Sequence, residues 1–144
     1  MFRWQTELTA AQIGAKASKA GNIQDVTVSA RGAGGIAAEL TIKGDKDTIH
    51  VKGQSAIRSI LGNEAVVIRR QDGSTMKTSS LPSAFISIDK LTKDDGSITF
   101  HIYGGGFGHG VGMSQNGAQS MAKSGKTYKD ILDFFYQGAE LKEN

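Results

Sequence analysis

Between residues 104 and 112 the sequence reads GGGFGHGVG, so six of nine consecutive residues are glycine. No other feature limits the fold so sharply. Glycine costs more backbone entropy to order than any other residue and weakens the interior of either a helix or a strand. A chain concentrates it this way where the backbone must approach something closely or adopt positive φ. The run therefore interrupts regular structure, and the patterns on its two sides differ.

Before the run, the period is mostly two. WQTEL, residues 4–8, reads as a strand. Thr9 then has the character of a helix N-cap, with Gln12 at the capping-box position. Ala10, Ile13, Ala17 and Ala20 follow at helical spacing up to Gly21 and Asn22. Val26, Val28 and Ala30 alternate with polar neighbours, as do Ile36, Ala38, Leu40 and Ile42. KGDKD turns the chain into a strand bearing Ile49 and Val51. AIRSIL suits a short helix with Ile57, Ile60 and Leu61 facing inward. Strands are predicted again at residues 66–70, 84–88 and 97–103, with turns at Asp72-Gly73 and Asp95-Gly96. After the run the period changes. Ser114 is predicted to cap a helix carrying Ala118, Met121 and Ala122, ended by Gly125. Thr127 opens a second helix, whose Tyr128, Ile131, Leu132 and Phe135 are spaced as core residues, and Gly138 closes it.

These patterns predict an α+β protein with a largely antiparallel sheet made of hairpins, short helices among them, and two helices after the glycine-rich loop. No repeat or low-complexity linker divides the 144 residues, so residues 1–144 are expected to be a single domain. The chain is 38% hydrophobic and 22% charged, which suits a soluble globular fold. Its net charge of +3 is spread along the sequence, too mild and scattered for a nucleic-acid partner. The lack of cysteine excludes disulfides, thiolate metal sites and cysteine nucleophiles. Three histidines would form a metal site only if the fold gathered them with a carboxylate, and His101 reads as solvent-facing, so no metal and no cofactor is expected.

The loop itself carries the chemistry. The G-x-x-x-x-G-K-[ST] pattern is absent, and G-x-G-x-x-G fails in every register across residues 104–112. GVGMSQNG also lacks the G-x-S-x-G elbow of serine hydrolases. What remains is strand, glycine loop and helix N-terminus, where bare backbone N–H groups can face an oxygen-rich ligand. Gly106, Gly108 and Gly110 leave space around His109, and Ser114 and Gln115 add a hydroxyl and an amide. A sugar, rich in hydroxyls and poor in charge, matches that mixture. A purely structural loop, with His109 bonded to backbone, matches the residues equally well.

The stretch YGGGFGHGVGMSQNGAQSMAKSGKTYKDILDFFYQGAEL resembles the SpoIID/LytB family. That family's signature is G-x-G-[FW]-G-H-G-V-G-M-S-Q-x-G-A, then M-A-x-x-G, then Y-x-x-I-L-x-x-[YF]-Y-x-G-T-x-[LI]. Upstream, GGIAAELTIKG, VKGQSAIRSILG and SSLPSAFISI are similar to segments preceding the signature. The resemblance implies peptidoglycan glycan strands as substrate. It further implies a lytic transglycosylase reaction, in which one carboxylic acid protonates the leaving oxygen and then accepts a proton from the sugar's own 6-hydroxyl. The alternative it implies is a non-enzymatic wall-binding or amidase-regulating module, with a cell-wall amidase as partner. The family's catalytic glutamate lies in a segment resembling YLxGVVxxEMP, which this sequence does not match, and Glu7, Glu39, Glu64 and Glu140 occupy other contexts. The resemblance thus places the chain as the C-terminal portion of a SpoIID/LytB domain, inactive by itself, from a protein that works outside the cytoplasm at the wall or membrane, with its signal or anchor elsewhere. It assigns Gly106, Gly108, His109, Gly110, Ser114 and Gln115 to glycan binding, with His109 in an auxiliary catalytic role. Asn116 replaces an aromatic common in the family, and Ala139 replaces a threonine. An open sheet edge in such a portion makes a homodimer an expected state.

Overall fold

In a computed structural model, residues 3–32, 34–62, 66–140 and 142 are described. The chain divides into two compact units, Met1–His109 and Gly110–Asn144.

The first unit holds eight strands among its described residues: β1 (Arg3–Thr9), β2 (Ile23–Arg31), β3 (Ala37–Gly44), β4 (Thr48–Lys52), β5 (Val67–Arg70), β6 (Thr75–Lys77), β7 (Ile86–Thr92) and β8 (Ile98–Gly105). They form two antiparallel sheets, one of five strands in the order β6-β5-β1-β8-β7 and one of three in the order β2-β3-β4. Two short helices, α1 (Ala10–Gly14) and α2 (Gln54–Ile60), complete the unit. The predicted α+β class with hairpin-built antiparallel sheets is what the structure contains.

One apolar core draws on both sheets and both helices. Trp4, Leu8, Ile68, Ile86, Phe100 and Ile102 come from the five-stranded sheet, Val26, Leu40 and Ile42 from the other, and Ile13 and Ile57 from the helices. The strand read at residues 4–8 is β1, and its burial alternates throughout: Trp4, Thr6 and Leu8 are buried while Arg3, Gln5, Glu7 and Thr9 are exposed. Thr6 is tolerated inside because its hydroxyl donates to the Val67 carbonyl at 2.9 Å. The capping box at Thr9 forms as predicted, with Gln12 Oε1 accepting from the Thr9 N–H at 2.9 Å.

Two readings need correction. The helix after Thr9 does not run to Gly21; it stops at Gly14, and a separate 3-10 turn occupies Ser18–Ala20. Ile13, Ala17 and Ala20 still point inward, so burial rather than helix continuity explains their spacing. In β3 the buried residue is Ala37, not Ala38. Irregularities in the β2–β3 ladder near Val28, Ala30 and Arg31 shift the parity by one residue there, as bulges do.

Several surface carboxylates accept hydrogen bonds in the folded chain. The His50 ring nitrogen lies 3.1 Å from Glu39 Oε1, and with Ser29 and Lys52 it holds the Glu39 carboxyl below its ordinary range. Asn22 does the same to Asp45, and the turn residues Ser74 and Ser97 to Asp72 and Asp95. Every shift is downward, so the stability these groups supply is complete above the unfolded carboxylate range and is lost as pH falls from that range through the lower folded values. Urea midpoints are expected to stay level from neutral pH down to about 5, then decline below about pH 4. A midpoint that rises on acidification would contradict the assignment.

The second unit contains α3 (Gln115–Lys123) and α4 (Tyr128–Phe135), capped by Ser114 and Thr127 as predicted. Asp130 completes the box at Thr127, accepting from its N–H at 2.8 Å. Ile131 is buried, whereas Tyr128 and Phe134 are each 62% exposed, so Tyr128 does not take the core position its spacing suggested.

Candidate functional site

Strand β8 delivers the chain to the glycine run, and the core fixes where it arrives. The Trp4 indole, almost fully buried, lies against Gly104, its register partner on β8. A Cβ at Gly104 would fall under 3.0 Å from three ring carbons, so only glycine fits. The indole Nε1–H then donates to the Gly106 carbonyl at 3.1 Å. Three further bonds hold the run. Gly105 N–H donates to Phe85 O at 2.9 Å, and Gly108 N–H to Pro82 O at 2.8 Å. The buried Ser83 hydroxyl donates to Gly105 O at 2.6 Å and accepts from the Phe85 N–H at 3.2 Å. Arg58 in turn steadies the anchoring segment, its Nε donating to Leu81 O at 2.8 Å. A glycine run that looks loose in sequence is thus held at Gly105, Gly106 and Gly108.

Between those anchors the backbone takes conformations that favour glycine, with φ of 77° at Gly106 and 113° at Gly108. The Phe107 and His109 side chains are exposed. Gly106, Gly108 and His109 belong to the first unit; Gly110, Ser114 and Gln115 belong to the second. There, Gly110 has φ 66° and Gly112 φ 72°, and Tyr136 Oη accepts from the Met113 N–H at 3.3 Å. Ser114 Oγ accepts from the Gly117 N–H at 3.1 Å, a bond that leaves the hydroxyl hydrogen for another acceptor. Gln115, at the start of α3, is exposed.

The outward face of the five-stranded sheet adds residues that the loop-centred reading passed over. A cleft of about 610 Å³ opens beside Gly104 and Gly105, lined among others by Arg3, Gln5, Arg69 and Tyr103. A second hollow of about 490 Å³ shares Gln5, Arg69 and Tyr103 and continues over Glu7 and His101. His101 Nε2 lies 3.4 Å from Glu7 Oε2 across the β1–β8 pair. The alternation of β1 puts Arg3, Gln5 and Glu7 together on this face, and no periodicity in the sequence shows that β8 lies alongside. His50 sits on the other sheet with Glu39, and among the described residues no three His, Asp or Glu side chains gather as a metal site. Glu64 lies outside the described residues.

Comparison with known proteins adds the lineage. Over 100 residues the chain is 38% identical to stage II sporulation protein D of Bacillus subtilis (strain 168), a match covering 66% of this chain and 29% of that protein. It is 51% identical over 51 residues to stage II sporulation protein D of Bacillus amyloliquefaciens, covering 35% and 14% respectively. It is 41% identical over 59 residues to the amidase enhancer of Bacillus subtilis (strain 168), covering 41% and 8%. The chain thus spans less than a third of the length of these curated relatives. A family model described as a domain of unknown function (DUF8618) matches residues 1–112. The chain therefore belongs to the DUF8618 family and is homologous to the stage II sporulation protein D and amidase enhancer proteins.

Proposed function

We propose that this chain binds the glycan strands of peptidoglycan and positions them during wall remodelling outside the cytoplasm. The observation that carries the reading is the anchored glycine loop: buried partners fix Gly105, Gly106 and Gly108, while His109 is presented to solvent. A loop so held is preorganised, which lowers the ordering cost of binding. In the first unit, Gly106 and Gly108 keep the approach to His109 open, and His109 orients a sugar hydroxyl by hydrogen bonding. Gly110, Ser114 and Gln115, in the second unit, are each proposed as glycan contacts in their own right. Cleavage of the lytic transglycosylase type needs a carboxylic acid at the glycosidic oxygen. None of the loop residues is one, so His109 is assigned an auxiliary role and residues 1–144 a substrate-holding part of a SpoIID/LytB domain. Cleavage is a property proposed for the whole protein.

Homology to a protein named amidase enhancer favours a second reading, in which the chain tunes a wall amidase without cutting glycan. A single set of measurements separates the two. His109→Ala is expected to fold normally, because the side chain is exposed, and to lower retention on purified wall by about 3–10-fold, the worth of one lost hydrogen bond. Unchanged retention in a co-sedimentation assay would remove His109 from the binding surface. Stimulation of an added amidase by a variant that no longer retains wall would favour the second reading.

A further inference from the structure

The outward face of the five-stranded sheet has its charges sorted along the strands. Register sets three rows across it. Arg3 stands in the first row, Arg69, Gln5, Tyr103 and Ser87 in the second, and Glu7, His101 and Asp89 in the third. All are exposed except His101, which is half-buried. Positive charge therefore lies toward one end of the face and negative charge toward the other. The two hollows follow the same course. The one of about 610 Å³ is lined at its cationic end by Arg3 and Arg69, and the one of about 490 Å³ runs from Arg69 to Glu7 and His101. Gln5 and Tyr103 line both.

These charges do not neutralise one another. Arg69 and Glu7 are diagonal neighbours, about 7–8 Å apart at the backbone, yet they form no ion pair. Among the described residues, neither Arg3 nor Arg69 has a carboxylate within ion-pairing distance, and Asp89 has no cation there. Glu7 Oε2 lies 3.4 Å from His101 Nε2, which leaves Oε1 for a further donor. Arg3 and Arg69 are also diagonal neighbours. Like charges so placed repel unless an anion lies between them, and a planar guanidinium suits a carboxylate in two-bond geometry. The acidic row asks for the opposite, a compact cation with several donors, which is what an ammonium group is.

Spacing restricts the ligand that satisfies both ends. Alternate residues of an antiparallel strand are about 7 Å apart, so a carboxylate held between the first two rows lies about 10 Å from the third. Extended peptide covers that span in about three residues. We propose that this face binds a short peptide with both ends free, its carboxylate between Arg3 and Arg69 and its ammonium group at Glu7 and Asp89. Between them the Gln5 amide can donate to and accept from a peptide unit, and the Tyr103 ring, 44% exposed, offers an apolar surface to a side chain. A peptide nitrogen is cationic only when it is not acylated. The class of reaction that supplies this ligand is therefore amide hydrolysis: water splits the C–N bond, the acyl carbon leaves as a carboxylate, and the nitrogen takes a proton to become ammonium. The face thus separates a released peptide from one still attached through its nitrogen. This goes beyond the glycan reading and does not rest on it.

The test changes the ligand as well as the protein, so the comparison within wild type does not depend on how a variant folds. Tri-alanine with free ends, N-acetylated tri-alanine and tri-alanine amide are titrated into the chain at neutral pH, and binding is followed by backbone amide chemical shifts. Wild type is expected to bind the free peptide about 3–10-fold more tightly than either blocked form. Arg3→Gln/Arg69→Gln is expected to lose the discrimination against the amide and keep that against the acetylated form. Glu7→Gln/Asp89→Asn is expected to do the reverse. Equal binding of all three peptides by wild type, or no saturable shift with any, would overturn the site. So would acetate alone matching tri-alanine in affinity, because the arginines would then hold a simple anion. None of these probes contains sugar, so a failure here leaves the wall-retention measurement to decide the glycan reading.

Discussion

Gly104→Ala is expected to lower stability by about 3 kcal/mol, at the upper end of overpacking costs. The added methyl meets Cζ2, Cε2 and Cη2 of Trp4 at less than 3.0 Å. Flexible side chains can step aside from such a clash. This ring cannot, because it is almost fully buried and its Nε1–H is bonded to Gly106 O. For a chain of this length the loss corresponds to a fall in Tm of roughly 6–12 °C. The strain also has a functional outlet: displacing the indole frees the Gly106 carbonyl, so retention on wall should fall in the folded fraction. A double-mutant cycle tests the mechanism directly. Trp4→Ala alone should cost about 3–5 kcal/mol. In that background Gly104→Ala should cost less than about 1 kcal/mol, since its clashing partner is gone. If Gly104→Ala leaves the urea midpoint unchanged, the close approach of ring to backbone is not what fixes the glycine.

Phe100→Ala is expected to be among the costliest truncations in the core, at about 3–5 kcal/mol. The ring is completely buried on β8, opposite Leu8 on β1, in the strand pair that joins the two ends of the first unit. Truncation loses the transfer energy of the ring and leaves a cavity that rigid strands on both sides cannot close. Native domains are stable by only about 5–15 kcal/mol, so this one change removes a large share. Phe107→Ala is the matched comparison, with the same residue type seven positions later but 72% exposed. It should shift stability by less than about 0.5 kcal/mol. Urea unfolding monitored by circular dichroism, with unchanged m-values, separates the two. Similar costs for both would mean that β8 is not the core strand described above.

The contrast between these phenylalanines marks the limit of what local pattern reveals. Elements whose causes lie within a few residues were legible: the capping box at Thr9, the helix starts at Ser114 and Thr127, the hairpin turns at Asp72-Gly73 and Asp95-Gly96, and the strand at residues 4–8. Each depends on hydrogen bonds or φ preferences confined to one turn, and the residues that satisfy them are adjacent in sequence. Where packing competed with local preference the reading slipped. The first helix stopped early, although the spacing of Ile13, Ala17 and Ala20 was real, and Ala37 displaced Ala38 because a ladder irregularity changed the parity.

The sequence by itself determined the α+β class, the turns and caps, and the unusual demand made at residues 104–112. It could identify His109 and its glycines as candidates because their composition is peculiar wherever the chain goes. Only the tertiary structure decided that β1 lies between β5 and β8, a pairing across about a hundred residues that no periodicity encodes. That placement sets Trp4 against Gly104, brings Ser83 and Pro82 beneath the loop, and gathers Arg3 and Arg69 on one face. The physical reason is that register between distant strands is chosen by the shared core they bury, not by the preferences of either strand alone.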